Sequence, residues 1–145
     1  MKTNKEIIDS VTIMDFITLC QTVYGEARGE ATEGRMAVIH TILNRVKKNT
    51  WYGKTASDVC LKNQQFSCWN VSDPNREKME NLTWDETENN GIFQDVKLAL
   101  NWWKIGQDVT DNATHYHTGS VKPNWSRGKI ACKVIGNHFF FNDVE

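Results

Sequence analysis

A chain of 145 residues with 39% apolar positions, six Trp and six Phe fits one domain with a packed core and excludes a disordered chain. Its formal net charge of −1 gives no global pull toward nucleic acid or an acidic membrane, so neither partner is expected and a polyanionic substrate would be held locally. No stretch approaches the ~18 apolar residues of a membrane span, so no membrane insertion is expected either.

Residues 1–12 read as a polar N-terminal arm. Glu6, Asp9 and Asp15 interrupt the early apolar residues, unlike the uncharged stretch of a secretory signal. The chain is therefore expected to be made in the cytoplasm, with any export by another route. From Ile13 the apolar positions 13, 14, 16, 17, 20, 23 and 24 form a helical stripe. Thr12 can cap this helix with Asp15 in a capping box, and Gly25 suits its end. A second helix starts near Thr32 as cap, carries Met36, Ile39, Ile42, Leu43 and Val46 inward, and ends at Lys47 and Lys48.

Residues 49–90 are polar, with one dense island, QQFSCW at 64–69, and read as loops with a short helix or two. A third helix is predicted over 92–105, with Gly106 as its stop. ATHYHT at 113–118 alternates as a strand does, and KVIGNHFFF at 133–141 reads as another strand interrupted by Gly136. No repeat or linker appears. The fold class is α+β and mostly helical: one domain over 13–145 with a small strand region.

The four cysteines, Cys20, Cys60, Cys68 and Cys132, are scattered without a CxxC, which argues against a zinc ribbon or a thioredoxin-like role. They read as free thiols, with a disulfide formed after release into an oxidising compartment as the alternative. His115 and His117 would share a strand face, and two such His can ligate zinc. With His40 or His138 this would make a zinc-dependent amidase or peptidase. The lone HxH and the absence of HExxH make that the lesser reading.

The most informative stretch is YGEARGEATEG at 24–34, three glutamates interleaved with three glycines between the two best helices. Glu33 reads as a helix-dipole partner. Glu26 differs, because it sits at the end of a rigid amphipathic helix and would project into a groove walled by aromatics. A carboxylic acid in such a place is suited to proton transfer. Glu30, four residues on, reads first as a group that holds the loop and second as a further carboxylate that positions water.

YGEARGEATEG, followed by MAVIHTILNRV, QFSCW, ATHYH and IGNHFFF in that order, resembles the SleB-like cell-wall hydrolases, which include spore-cortex-lytic enzymes and bacteriophage endolysins. The likeness covers roughly residues 13–141. It implies a lysozyme- or lytic-transglycosylase-like domain that cleaves the β-1,4 bond between N-acetylmuramic acid and N-acetylglucosamine, with Glu26 on the family's catalytic glutamate. Relatives with a signal peptide and a wall-binding domain contrast with this chain, which favours an endolysin that reaches the wall through a holin-type pore.

Peptidoglycan glycan strands are then the expected partner, with a monomer acting alone. No cofactor is required, and a structural cation stays open. Sugar rings pack on aromatics while amides bond their hydroxyls, so Gln65, Phe66, Ser67 and Trp69 form one candidate wall. Thr114, Tyr116, His117 and Trp125 form the other. Because no second acid has comparable support, a transglycosylase that leaves 1,6-anhydro ends is expected, with a hydrolytic muramidase as the alternative. A non-catalytic wall-binding module is the remaining rival, disfavoured by the absence of repeats.

Overall fold

The computed structural model describes residues 1–62 and 65–144. Gln64, the first residue of the QQFSCW island, lies outside them. The helices in chain order are α1 (Asn4–Asp9), α2 (Ile13–Ala27), α3 (Thr32–Lys48), α4 (Ala56–Leu61), α5 (Asn75–Glu80), α6 (Trp84–Asn89) and α7 (Ile92–Lys104). Strands β1 (His115–Thr118), β2 (Lys133–Ile135) and β3 (His138–Phe141) form an antiparallel sheet of order β1-β3-β2. No helix among the described residues is long and apolar enough to cross a membrane.

Helix α3 is the axis of the domain. Every residue from Met36 to Val46 is buried, so it is wrapped on all sides rather than along one stripe. Leu19, Val23, Ile39, Ile42, Leu43, Val96 and Trp103 belong to the helical core. A second cluster of Ala37, Ala113, Ile135 and Phe140 ties α3 to the sheet.

A helix surrounded by protein must satisfy its polar side chains internally. Asn44 does so completely. Its amide donates to Asp108 Oδ2 at 2.8 Å and to the Ala113 carbonyl at 2.8 Å, while its Oδ1 accepts from Trp103 Nε1 at 3.0 Å. His40 likewise donates from Nε2 to the Ala99 carbonyl and accepts from the Val109 amide. Burial would push the Asp108 carboxyl up, but the nearby His40 ring and hydrogen bonds from Thr110 and Asn44 outweigh it and hold that carboxyl well below its ordinary range. These bonds fix the loop that delivers the chain into β1.

Residues 49–90, read as loops with a short helix or two, hold three helices among the described residues, α4, α5 and α6, whose short runs carry too few apolar positions to show a stripe. Four further local features differ from the sequence reading. The N-terminal arm contains α1, closed by a Thr3–Glu6 capping box, and Ile7 is buried in the core. Helix α2 starts with the Thr12–Asp15 capping box but runs through Gly25 and Glu26 to Ala27. Gly25 is therefore no terminator; a Cβ there would overlap the Met79 sulfur and Cys68, so glycine permits close packing. Ala31, not Thr32, occupies the cap position of α3, without a side-chain cap bond. The 133–141 stretch is two strands, because Gly136 at φ 56° turns the chain into a hairpin.

Replacing Asn44 with Ala should lower the unfolding free energy by about 2–4 kcal/mol, since it strands the buried Trp103 Nε1 and Ala113 carbonyl. Urea denaturation checks this. A loss under ~1 kcal/mol would mean that solvent or a neighbour replaces those bonds.

Candidate active site

Glu26 lies in the last turn of α2, half-buried, at the edge of an open cleft of about 410 Å³. The helix fixes its backbone, and the tertiary structure fixes its side chain. The Tyr116 hydroxyl, on β1 and 90 residues away in sequence, donates to Glu26 Oε1 at 2.5 Å. Burial, then the charge of Glu26, pushes the Tyr116 phenol well above its ordinary range, so it stays a donor. The buried Cys68 thiol lies against the same carboxylate, and burial and that charge push it up as well.

Beneath this pair sits Arg45, 5% exposed. Its Nε donates to the Thr114 carbonyl at 2.6 Å and its Nη1 to Gln65 Oε1 at 2.9 Å. The guanidinium also lies over the rings of Tyr52 and Phe66, at 5.2 and 5.0 Å. Among the described residues no carboxylate pairs with it within 4.0 Å. Burial pulls its pKa down, while Tyr116, Tyr52, Cys60 and Glu26 pull it back up. By gripping the Thr114 carbonyl, Arg45 sets the height of β1 and hence the position of Tyr116.

Glu30 lines the same cleft but is committed to the hairpin. Its Oε1 accepts from the Asn137 amide and its Oε2 from the Asn137 side chain, both at 3.0 Å. His138 Nδ1 lies 3.5 Å from Oε1 without a hydrogen bond, and burial depresses the imidazole more than Glu30 raises it. A Cβ on Gly34 or Gly136 would collide with the Glu30 side chain, so both glycines leave room for it. The far wall is Thr118, Asn137 and His138, with Arg28 and Asn75 at one end, where Arg28 Nη2 donates to Asn75 Oδ1 at 2.9 Å.

The two walls expected from sequence are rearranged. Phe66 is 2% exposed and lies under Arg45, while Gln65 serves Arg45 rather than the cleft. Ser67 is exposed away from the cleft lining, and Trp69 donates to Thr22 Oγ1 and faces a separate depression with Lys62 and Arg76. Strand alternation separates Tyr116 from His117 in the other group. Tyr116 turns toward the helices, whereas His117 and Trp125 pack on the opposite face of the sheet with Phe139 and Phe141. Thr114 is buried and contributes its carbonyl.

His115 and His117 do share a face, but aromatic rings surround them. No group of three His, Cys, Asp or Glu among the described residues could hold a metal. The cysteines are free thiols, with Cys20 and Cys60 pushed by burial up to about 12.

Arg28, Arg45, Cys68, Asn75, Asn137 and His138 were missed as site residues. Only Arg45 carries a usable signal: MAVIHTILNRV sets His40, Asn44 and Arg45 into a mainly apolar run, and such polar groups need buried partners.

An acid held by a phenol at an open cleft, above a buried cation, is an arrangement suited to proton transfer. The Cell Wall Hydrolase family profile matches residues 29–141, beginning three residues after Glu26, and the chain belongs to that family. It is 35% identical over 131 residues to a spore cortex-lytic enzyme of Halalkalibacterium halodurans, covering 88% of this chain and 34% of that protein. It is 34% identical to one from Bacillus cereus, covering 87% and 43%. The chain thus spans less than half the length of these curated relatives. Among solved structures it resembles the catalytic domain of the germination-specific lytic transglycosylase SleB of Bacillus anthracis, at 29% identity and TM-score 0.69 over 91% of this chain and 97% of that one. The Bacillus cereus SleB catalytic domain gives 29% and 0.71, with 97% of each chain covered.

His115 supplies a pH prediction. Burial, with the nearby Arg45 charge, depresses its pKa from 6.5 to about 4. On acidification the unfolded chain takes up this proton first, so stability present above pH 6.5 is lost as pH falls toward 4. Discounted for solvent screening, the loss should be on the order of 1–2 kcal/mol, and His115→Phe should flatten that limb of the stability curve. The Asp108 contribution falls away at lower pH, below the ordinary carboxyl value of 3.8. An unchanged slope between pH 6.5 and 4 in the variant would contradict the assignment.

Proposed function

We propose that the domain is a peptidoglycan lytic transglycosylase that cleaves the bond between N-acetylmuramic acid and N-acetylglucosamine. The observation that carries this reading is Glu26, held by Tyr116 at an open cleft where, among the described residues, the one other lining acid, Glu30, has both oxygens bonded to Asn137. The SleB catalytic domain likeness supports it.

Glu26 gives its proton to the bridging oxygen as the C1–O bond breaks, and the bonding pair leaves with that oxygen. The resulting carboxylate faces the oxocarbenium-like centre. It then takes the proton of the muramyl C6 hydroxyl as that oxygen bonds to C1, which closes the 1,6-anhydro ring and restores the acid. A tethered nucleophile has a large effective concentration and needs no second carboxylate to activate it. Tyr116 holds the Glu26 side chain in one orientation through both transfers.

The setting belongs to the same proposal: host lysis by an endolysin that acts as a monomer and reaches the wall through a holin-type pore. The proposal needs no cofactor.

Digestion of purified sacculi in ¹⁸O-water, followed by mass spectrometry of the products, tests the reaction. The expected products are 1,6-anhydromuramic ends without ¹⁸O. Reducing N-acetylmuramic ends carrying one ¹⁸O per cut would make the enzyme a hydrolytic muramidase.

A further inference from the structure

Opposite the helices, the sheet presents a second, aromatic face. Phe139 pairs with His117 and Val134, and Phe141 with His115, so these side chains lie on one side. The His117 ring stacks on Phe139 at 5.4 Å and an interplanar angle of 4°, and Phe141 lies 5.2 Å from the same ring. Trp125 stands edge-on against Phe141. This aromatic floor opens into a depression of about 390 Å³, rimmed by Lys122, Arg127 and Lys129.

The charge around it is one-sided. Residues 112–142 hold four of the seventeen cations, Lys122, Arg127, Lys129 and Lys133, and none of the eighteen acids, although the whole chain is slightly acidic. Lys129 is engaged by Asp143, through its carbonyl at 2.8 Å and its carboxylate at 3.6 Å. Lys122 and Arg127 are exposed, and among the described residues neither has a carboxylate within 4.0 Å. An aromatic floor with unpaired cations at its edge suits a ligand that combines apolar or sugar surface with carboxylates.

The face adjoins the catalytic cleft. Thr118 and His138 line the cleft, and their chain neighbours Gly119 and Phe139 line this depression. A glycan strand held at Glu26 would therefore bring its own substituents over the sheet edge. On muramic acid those substituents are stem peptides with free carboxylates.

We propose that this outer sheet face binds the stem-peptide carboxylates of peptidoglycan, with Arg127 and Lys122 as the anion partners and the His117–Phe139 stack as the floor. The proposal rests on the peptidoglycan reading of the Glu26 cleft. It adds a grip on the polymer beside the cut, which raises the residence time on an insoluble wall without touching the reacting atoms.

The test uses the full chain carrying K122E/R127E, with K122Q/R127Q as a milder pair. Binding is measured by sedimentation with sacculi at low salt, in a Glu26→Gln background so that the walls stay intact. Cleavage is measured with the natural Glu26, on sacculi and on short soluble glycan fragments without peptides. Charge reversal should weaken binding to peptide-bearing, teichoic-acid-free sacculi at least ten-fold and slow sacculus lysis. Cleavage of soluble fragments should stay unchanged, and glutamine replacement should give a smaller effect of the same direction.

Unchanged binding in both variants overturns the proposal. So does equal binding of the parent protein to glycan strands stripped of peptide, or binding that requires teichoic acid, which would assign the face to phosphate. Failure of every protein to cut soluble fragments would reject the glycosidase reading while the sedimentation result still decides this one.

Discussion

The hydrogen bond from Tyr116 to Glu26 is the contact on which the site depends, because it joins the end of a helix to a strand formed 90 residues later. Neither side chain is held in place by its neighbours in sequence. The bond exists only if α2 and β1 meet at one height. Much of the remaining structure can be understood as fixing that height.

Helix α3 does most of this. Asn44 grips Trp103 on one side and the loop before β1 on the other, and Arg45, one residue on, holds the Thr114 carbonyl. The cost of burying a guanidinium is offset by a carbonyl, an amide and two aromatic faces rather than by a carboxylate. A paired acid there would neutralise the cation. As it stands, the positive charge reaches Tyr116 and Glu26 across a low-dielectric interior. Glu30 fixes the other side of the cleft by accepting two bonds from Asn137 at the hairpin tip, in space that Gly34 and Gly136 leave open.

The three long helices and the place of Glu26 at a helix end were legible in the sequence because both are local. Apolar spacing marks α2, α3 and α7, and an acid among glycines at a helix end is a short-range signal. The allocation of aromatics to walls was not legible. Phe66 and Trp69 have the composition of a sugar platform, yet their roles follow from what lies above them: Arg45 for one and Thr22 for the other. Tyr116, His117 and Trp125 lie close in sequence, but strand alternation sends Tyr116 to the acid and His117 to the opposite face, where the turn at Asn124–Ser126 packs Trp125 against it. Gly136 had the strength to end a strand, but whether it bends or reverses the chain depends on the β2–β3 pairing partner, which sequence spacing alone does not name.

The central claim is that one carboxyl group, Glu26, carries both proton transfers. Replacing it with Gln keeps the shape and can still accept from Tyr116, but removes the proton. The most direct measurement is the sacculus-lysis rate of Glu26→Gln beside its thermal unfolding curve. The account predicts a loss of at least ~10²–10⁴-fold with the unfolding transition retained. Near-normal lysis by the folded variant would contradict it.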